Sequence, residues 1–213
     1  MPFAVALVPQ LGHGNGIAGI SISPNGTVAA TASADKTVRV WDAESGILLR
    51  VLPIGDQAYD VAILRDNRHA AVTAGRTLEL WDLAQGKRIF QVKVDQARLA
   101  RLHHADHVIL GDGGGGVALW DMAQGRLVKQ LRPGRQGDRL GIRAVDLSMD
   151  DRLVACARED GVIQLIDVAT GEIRQQLTGH RGLISAVRFS HSTWSNGLCP
   201  GDVQRRDTVR PPL

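Results

Sequence analysis

The sequence predicts an all-β protein in which a four-stranded antiparallel sheet is repeated along the chain, and three observations predict it. One stretch is copied four times: a short apolar/polar alternation, then Trp41-Asp42, Trp81-Asp82, Trp120-Asp121 or Ile166-Asp167, then a glycine four residues beyond the aspartate, at Gly46, Gly86, Gly125 and Gly171. The copies recur at 40, 39 and 46 residues, the range of solenoids, propellers and arrays. No window keeps a helical period, and the segments are short, rich in β-branched residues and bounded by Gly, Asp, Asn or Pro.

Taken in order, residues 4–11 are apolar and long enough for one strand. Residues 17–23 alternate, with Ile20 and Ile22 on one face, and Pro24-Asn25-Gly26 signals a turn. Residues 28–33, 37–41 and 47–52 complete a first unit of four strands joined by short loops, which requires sequential antiparallel pairing. The second unit has strands at 58–64, 69–74, 77–81 and 87–94. Its Gly75-Arg76 connection, with glycine first, suits a type II′ hairpin. The third unit is looser, at 98–102, 107–110, 117–120 and 126–131; the fourth runs 142–148, 153–157, 162–166 and 172–177. A fifth starts at Gly179-His180 with a strand at 183–190, and there the pattern stops. A four-stranded sheet at this period reads as a propeller blade.

Bulk properties narrow the function classes. At 213 residues, 44% of them hydrophobic, the chain can bury roughly 70% of its unfolded surface as one unit. No uncharged apolar run approaches the ~18 residues of a membrane span. Residues 1–11 lack the basic flank and cleavage pattern of a signal peptide, so Asn25-Gly26-Thr27 reads as a turn rather than a glycosylation site. Cys156 and Cys199 show neither a disulfide framework nor zinc spacing, and a cytoplasmic, reducing setting is expected. A net charge of +3 does not indicate nucleic acid without basic residues gathered on one face.

On these residues the chain resembles the WD-repeat β-propellers. The first unit carries Gly12-His13, Ser23-Pro24-Asn25-Gly26, Ala32-Ser33 and Asp35-Lys36-Thr37-Val38-Arg39-Val40-Trp41-Asp42. Later matches are Trp81-Asp82, Trp120-Asp121, Asp160-Gly161 with Asp167, and Leu177-Thr178-Gly179-His180. The resemblance covers about residues 4–190 and implies blades at 12–52, 53–94, 95–131 and 132–177, a partial one at 178–190, residues 1–11 as a closing strand, and an irregular tail at 191–213. Seven blades are usual in that family, so the array reads as incomplete or poorly closed, with self-association expected if the ring is open. The resemblance also implies a hydrogen-bonded network of His13, Ser33, Asp35 and Trp41. Of the other units, the second lacks the His and the turn Asp, the third lacks Gly-His, and the fourth keeps Asp160 but has Ile166 for Trp. Trp81, Trp120, Asp160 and His180 are the structural residues that remain, and packing is expected to hold those units.

Candidate chemistry is sparse. Gly111-Asp112-Gly113-Gly114-Gly115-Gly116 contains a dinucleotide-type spacing, but a strand follows where a helix is needed, so a hairpin loop is expected. His103-His104-Ala105-Asp106-His107 could ligate a metal, yet it falls at a turn where polar residues belong, and no metal or cofactor is expected. Asp150-Asp151 and Glu159-Asp160 read as turn acids rather than a catalytic pair. Arg132, Arg135, Arg139 and Arg143 fill a long loop and could pair with an acidic or phosphorylated peptide, because guanidinium binds carboxylate and phosphate bidentately. Strand register places Ala18, Tyr59, Arg98, Arg143 and Ser185 at equivalent positions, on a rim that the resemblance implies is partner-binding, and Tyr and Arg are anchoring residue types. The expected function is a non-catalytic scaffold binding a protein or peptide. An enzyme using the propeller channel, a hydrolase or lyase, and nucleic-acid binding through the arginine loop are the alternatives.

Overall fold

The computed structural model describes residues 12–94, 97–101, 106–134 and 141–189, the stretch 97–101 by its backbone alone. The closing strand expected at 1–11 and the tail at 191–213 lie outside the described residues. Sixteen strands and no helix occur among the described residues. They form four sheets of four sequential antiparallel strands. The fold class is all-β, of propeller blades.

The first sheet is β1 (Ile17–Ile22), β2 (Val28–Ser33), β3 (Thr37–Asp42) and β4 (Leu48–Pro53); the second is β5 (Ala58–Ile63), β6 (His69–Ala74), β7 (Thr77–Asp82) and β8 (Lys87–Lys93). The third is β9 (Ala97–Arg101), β10 (His107–Asp112), β11 (Val117–Asp121) and β12 (Arg126–Arg132); the fourth is β13 (Ile142–Leu147), β14 (Leu153–Arg158), β15 (Ile163–Asp167) and β16 (Ile173–Leu177). The chain divides into two compact units, Met1–Lys93 and Val94–Leu213.

The recurring aspartate and glycine build the turn between the third and fourth strands. The carboxylates of Asp42, Asp82, Asp121 and Asp167 accept from the amides of Ser45, Gln85, Gln124 and Thr170 at 2.7–3.0 Å. The glycines that follow all have φ between 62° and 80°, a left-handed conformation that only glycine adopts without steric cost. Asp and Gly are therefore coupled at a fixed distance: one caps the loop and the other lets it reverse. The turn at Gly75-Arg76 has Ala74 paired to Thr77 and φ of 52° at Gly75, as a hairpin opened by glycine requires.

Within the first unit the two sheets share one core. Ala30, Ala32, Val38, Val40 and Leu52 of the first sheet meet Val61, Ile63, Ala70, Val72 and Trp81 of the second. On the first sheet the side chains equivalent to Val61 and Ile63 are Ile20 and Ile22, and both are exposed. In the second unit Ile109, Val117 and Leu131 pack with Ile142, Val145, Leu147, Val154, Cys156 and Ile166.

The segment expected as a fifth-unit strand differs in form. Residues 183–189 make no strand ladder. Even so, Ile184, Val187 and Phe189 are buried against Ala144, Ala155, Ala157, Ile163 and Leu165. The Phe189 amide donates to Asp146 Oδ2 at 2.6 Å, and in the first unit the Ile63 amide donates to Ser21 Oγ at 3.0 Å. Ser21 and Asp146 each stand one residue before the end of the first strand of their sheet. Residues 183–189 thus lie on the fourth sheet as β5 lies on the first, without a neighbouring strand to complete a ladder among the described residues.

Gly111 of β10 lies against Ile142 and Val145: an added Cβ would come within 2.5 Å of Ile142 Cγ2 and 2.8 Å of Val145 Cγ1. Gly111→Ala is expected to destabilise the protein by about 1–3 kcal/mol through overpacking. A urea midpoint unchanged from wild type would remove that explanation.

Candidate functional site

The His13 network is present, with one change of membership. His13 Nδ1 pairs with Asp35 Oδ2 at 2.9 Å, and His13 Nε2 with Thr31 Oγ1 at 2.6 Å. The Trp41 indole N–H donates to the same Thr31 oxygen at 2.9 Å. The hydroxyl joining His to Trp is therefore that of Thr31 rather than Ser33. Side chains alternate on a strand, yet both hydroxyls lie on the same face of β2 as Trp41, which pairs at Ala29. Distance along the strand separates them. Thr31 is two residues from that pairing point, whereas Ser33 is four and turns instead to the Asn15 and Gly16 carbonyls. Burial opposes ionisation of Asp35. Hydrogen bonds from Thr37, His13 and the amides of Gly14 and Thr37 outweigh it and hold the carboxyl well below the usual carboxylate range.

The second sheet does not depend on packing alone. Glu79, 1% exposed, sits two residues before Trp81 and accepts from its indole N–H at 2.8 Å. Thr77 and Gln91 donate to it at 3.1 Å, and Arg88 at 3.4 Å. The Arg88 guanidinium also lies 6.0 Å from the Trp81 ring centroid. One acid thus replaces the His–Thr–Asp chain, using donors from β7 and β8. Its signal in the sequence was an acid flanked by Leu78 and Leu80 inside a strand. In the fourth sheet the equivalent position is Gln164, buried and bonded to Arg132.

The remaining structural residues part company. Trp120 is half-buried and its indole makes no hydrogen bond among the described residues. Asp160 pairs with Arg158 at 2.9 Å and caps the Val162 amide. His180 is exposed, and it is its carbonyl that lies over Gly161. Asp160 and His180 therefore do not form a network like that of His13 and Asp35.

The glycine-rich loop is a hairpin, as expected. Asp112 Oδ1 accepts from the amides of Gly114 and Gly116 at 2.9 and 2.6 Å, and a Cβ at Gly116 would strike Asp112 Oδ2. The loop's own carboxylate occupies the amides that a phosphate would need. Of the histidine cluster, His103 and His104 lie outside the described residues. The thiol of Cys156 is pushed up to about 12 by burial, against the pull of the Arg132 charge, so it is not a nucleophile at neutral pH.

The partner-binding candidates fall into three groups. Arg135 and Arg139 lie outside the described residues, and only the backbone of Arg98 is described. Arg132 ends β12, and its guanidinium is held by Gln164; the burial of that amide against blade four draws it out of the loop. Tyr59 and Arg143 share a geometry invisible in the sequence. The ladders of three of the four first strands skip one residue: Ala18 between Ile17 and Gly19, Tyr59 between Ala58 and Asp60, Arg143 between Ile142 and Ala144; β9 runs unbroken, with Arg98 paired to Gly111, so Arg98 does not share their position. Such bulges re-aim a side chain. Arg143 remains 43% exposed while its Nε donates to Glu159 at 2.9 Å, and Ser185 is exposed.

Repeated four-stranded blades with capped turns, three of them with bulged first strands, define a β-propeller repeat protein, the class that displays binding surfaces on a rigid frame. A WD domain, G-beta repeat family model matches residues 6–42, and an anaphase-promoting complex subunit 4 WD40 domain model matches residues 117–192. Both models and the relatives below support a WD-repeat family, whose members serve in general as protein-interaction scaffolds. It is 25% identical over 191 residues to Autophagy-related protein 16 of Arabidopsis thaliana, covering 84% of this chain and 36% of that protein. It is 28% identical over 170 residues to WD repeat-containing protein SL1-17 of Schistosoma mansoni, covering 76% and 54%. It is 26% identical over 182 residues to WD repeat-containing protein VIP3 of Arabidopsis thaliana, covering 84% and 47%. The chain spans between about a third and about a half of the length of these relatives.

Two measurements check the networks. Asp35→Ala is expected to cost about 1–3 kcal/mol by leaving part-buried donors unsatisfied. Because the folded carboxyl is depressed, the stability it contributes is present above its unfolded value near ~3.9 and is lost as pH falls through the folded value. The gap between wild type and Asp35→Asn should therefore narrow in acid. A gap constant from pH 7 to 2 contradicts this. Glu79→Ala should cost about 2–4 kcal/mol, as it strands the Trp81 and Arg88 donors, and a chemical melt equal to wild type would rule the keystone role out.

Proposed function

We propose that the chain is a non-catalytic scaffold that binds a protein or peptide through the bulged ends of its first strands, and that acidic or phosphorylated segments are its ligands. One observation supports this most: the same bulge recurs at Ala18, Tyr59 and Arg143, so each unit presents a side chain at a position freed from the ladder. Tyr59 offers an aromatic anchor in the first unit. In the second, Arg143 offers a guanidinium whose present partner, Glu159, is one third exposed. An incoming carboxylate or phosphate would take the place of Glu159 with the same geometry. A cytoplasmic setting goes with this reading.

The test is an array of acidic, phosphorylated and neutral peptides followed by anisotropy titration of those that bind. Arg143→Glu is expected to weaken acidic ligands at least tenfold, and Tyr59→Ala to weaken ligands of the first unit, with melting unchanged. Affinities untouched by both substitutions would overturn the assignment.

A further inference from the structure

The last strands of the four sheets, β4, β8, β12 and β16, carry eight cations and no acid. Six of the eight are committed within the protein. Arg50 donates to the Ala84 carbonyl at 2.7 Å, Arg88 to Glu79 at 3.4 Å and Arg174 to Asp167 at 2.9 Å. Arg126 is bonded to Gln124, Lys129 to the Ala169 carbonyl and Arg132 to Gln164. The two that remain, Lys87 and Lys93, are both on β8. Both are exposed, with no hydrogen bond or ion pair among the described residues.

Three further facts concern the same strand. β8 is the terminal strand of its sheet, paired on one side to β7 from Asp82↔Lys87 to Thr77↔Lys93. Its other side pairs with no strand among the described residues, so it is an open edge there. Between the lysines Ile89 is left out of the ladder by a bulge, where Leu80 pairs with Phe90 and Trp81 with Arg88, and it is 49% exposed.

We infer that β8 is an edge-docking site for an extended acidic segment of a partner protein, with carboxylates at both ends and an apolar side chain between. The inference rests on the reading of the chain as a protein-binding scaffold, but on a different surface from Tyr59 and Arg143. Backbone groups of an open edge supply the affinity common to all strand addition, and side chains supply selection. Lysine on an edge repels basic strands and discourages uncharged ones; the same charges attract a strand of opposite sign. Because of the bulge, Lys87 and Lys93 stand opposite Asp82 and Thr77, five residues apart on β7 and so about 17 Å at the rise of a strand. A segment with acids five to six residues apart brings its carboxylates within reach of both long side chains. Ile89 gives its central apolar residue a contact.

The probe is the capped peptide EVTITVE, labelled for anisotropy, with KVTITVK as its charge-reversed counterpart. EVTITVE is expected to bind, more weakly as salt rises, while KVTITVK does not. Lys87→Glu/Lys93→Glu is expected to lose EVTITVE binding at least tenfold and to gain KVTITVK, a swap that misfolding would not produce. The β8 amides should gain hydrogen-exchange protection in the complex. Absence of binding at low salt, or binding of EVTITVE undiminished in the double variant, would overturn the inference. So would loss in Arg143→Glu alone, which would move the acidic ligand to the bulged surface, or displacement by single-stranded DNA at equal concentration, which would make β8 a plain polyanion site.

Discussion

Face-to-face packing between successive sheets is the constraint on which this structure depends. A four-stranded sheet of six-residue strands has two apolar faces and cannot bury both by itself. In the first unit Val61, Ile63, Val72 and Trp81 are buried because Ala30, Ala32, Val38, Val40 and Leu52 stand opposite. The equivalent Ile20 and Ile22 have no such cover among the described residues and are exposed. In the second unit even a segment without ladder pairing, residues 183–189, is drawn onto the fourth sheet by three apolar side chains and one amide donated to Asp146. Removing apolar surface from water, at roughly 25 cal/mol per Å², drives this packing more strongly than any other contribution, and strand pairing follows where enough chain is present.

Polar groups within these sheets solve one problem in different ways. Tryptophan at the end of a third strand brings an indole N–H toward the interior, and burial without an acceptor is costly. The first sheet supplies Thr31, fixed by His13 and Asp35. The second supplies Glu79, neutralised by neighbours on its own and the next strand. The third leaves Trp120 half-buried, and the fourth replaces the tryptophan with Ile166, which needs no acceptor. The sheets differ in sequence because any one of these answers satisfies the same requirement.

Cations on the last strands act in a related manner. Arg50 and Lys129 occupy equivalent places and each reaches the carbonyl two residues beyond the aspartate of the following sheet's turn. On β8 the equivalent position is Phe90, and the cations of that strand with no partner among the described residues, Lys87 and Lys93, stand at its two ends.

The repeat was legible in the sequence because its physics is local. Alternation sets a strand, Asp and Gly at fixed spacing set a turn, and both act over fewer than ten residues, so the four sheets and their order could be read directly. The fifth-unit strand could not, since a ladder needs a neighbour and apolar pattern alone does not provide one. Thr31 and Ser33 look alike in sequence; the tertiary structure chose Thr31 because only its hydroxyl stands within reach of both the imidazole and the indole. Glu79 was passed over because an acid within a strand has meaning only when its donors, from β7 and β8, are brought around it. The bulges at Tyr59 and Arg143, and the release of Lys87 and Lys93 from internal partners, depend on pairing across strands. They belong to the tertiary structure alone.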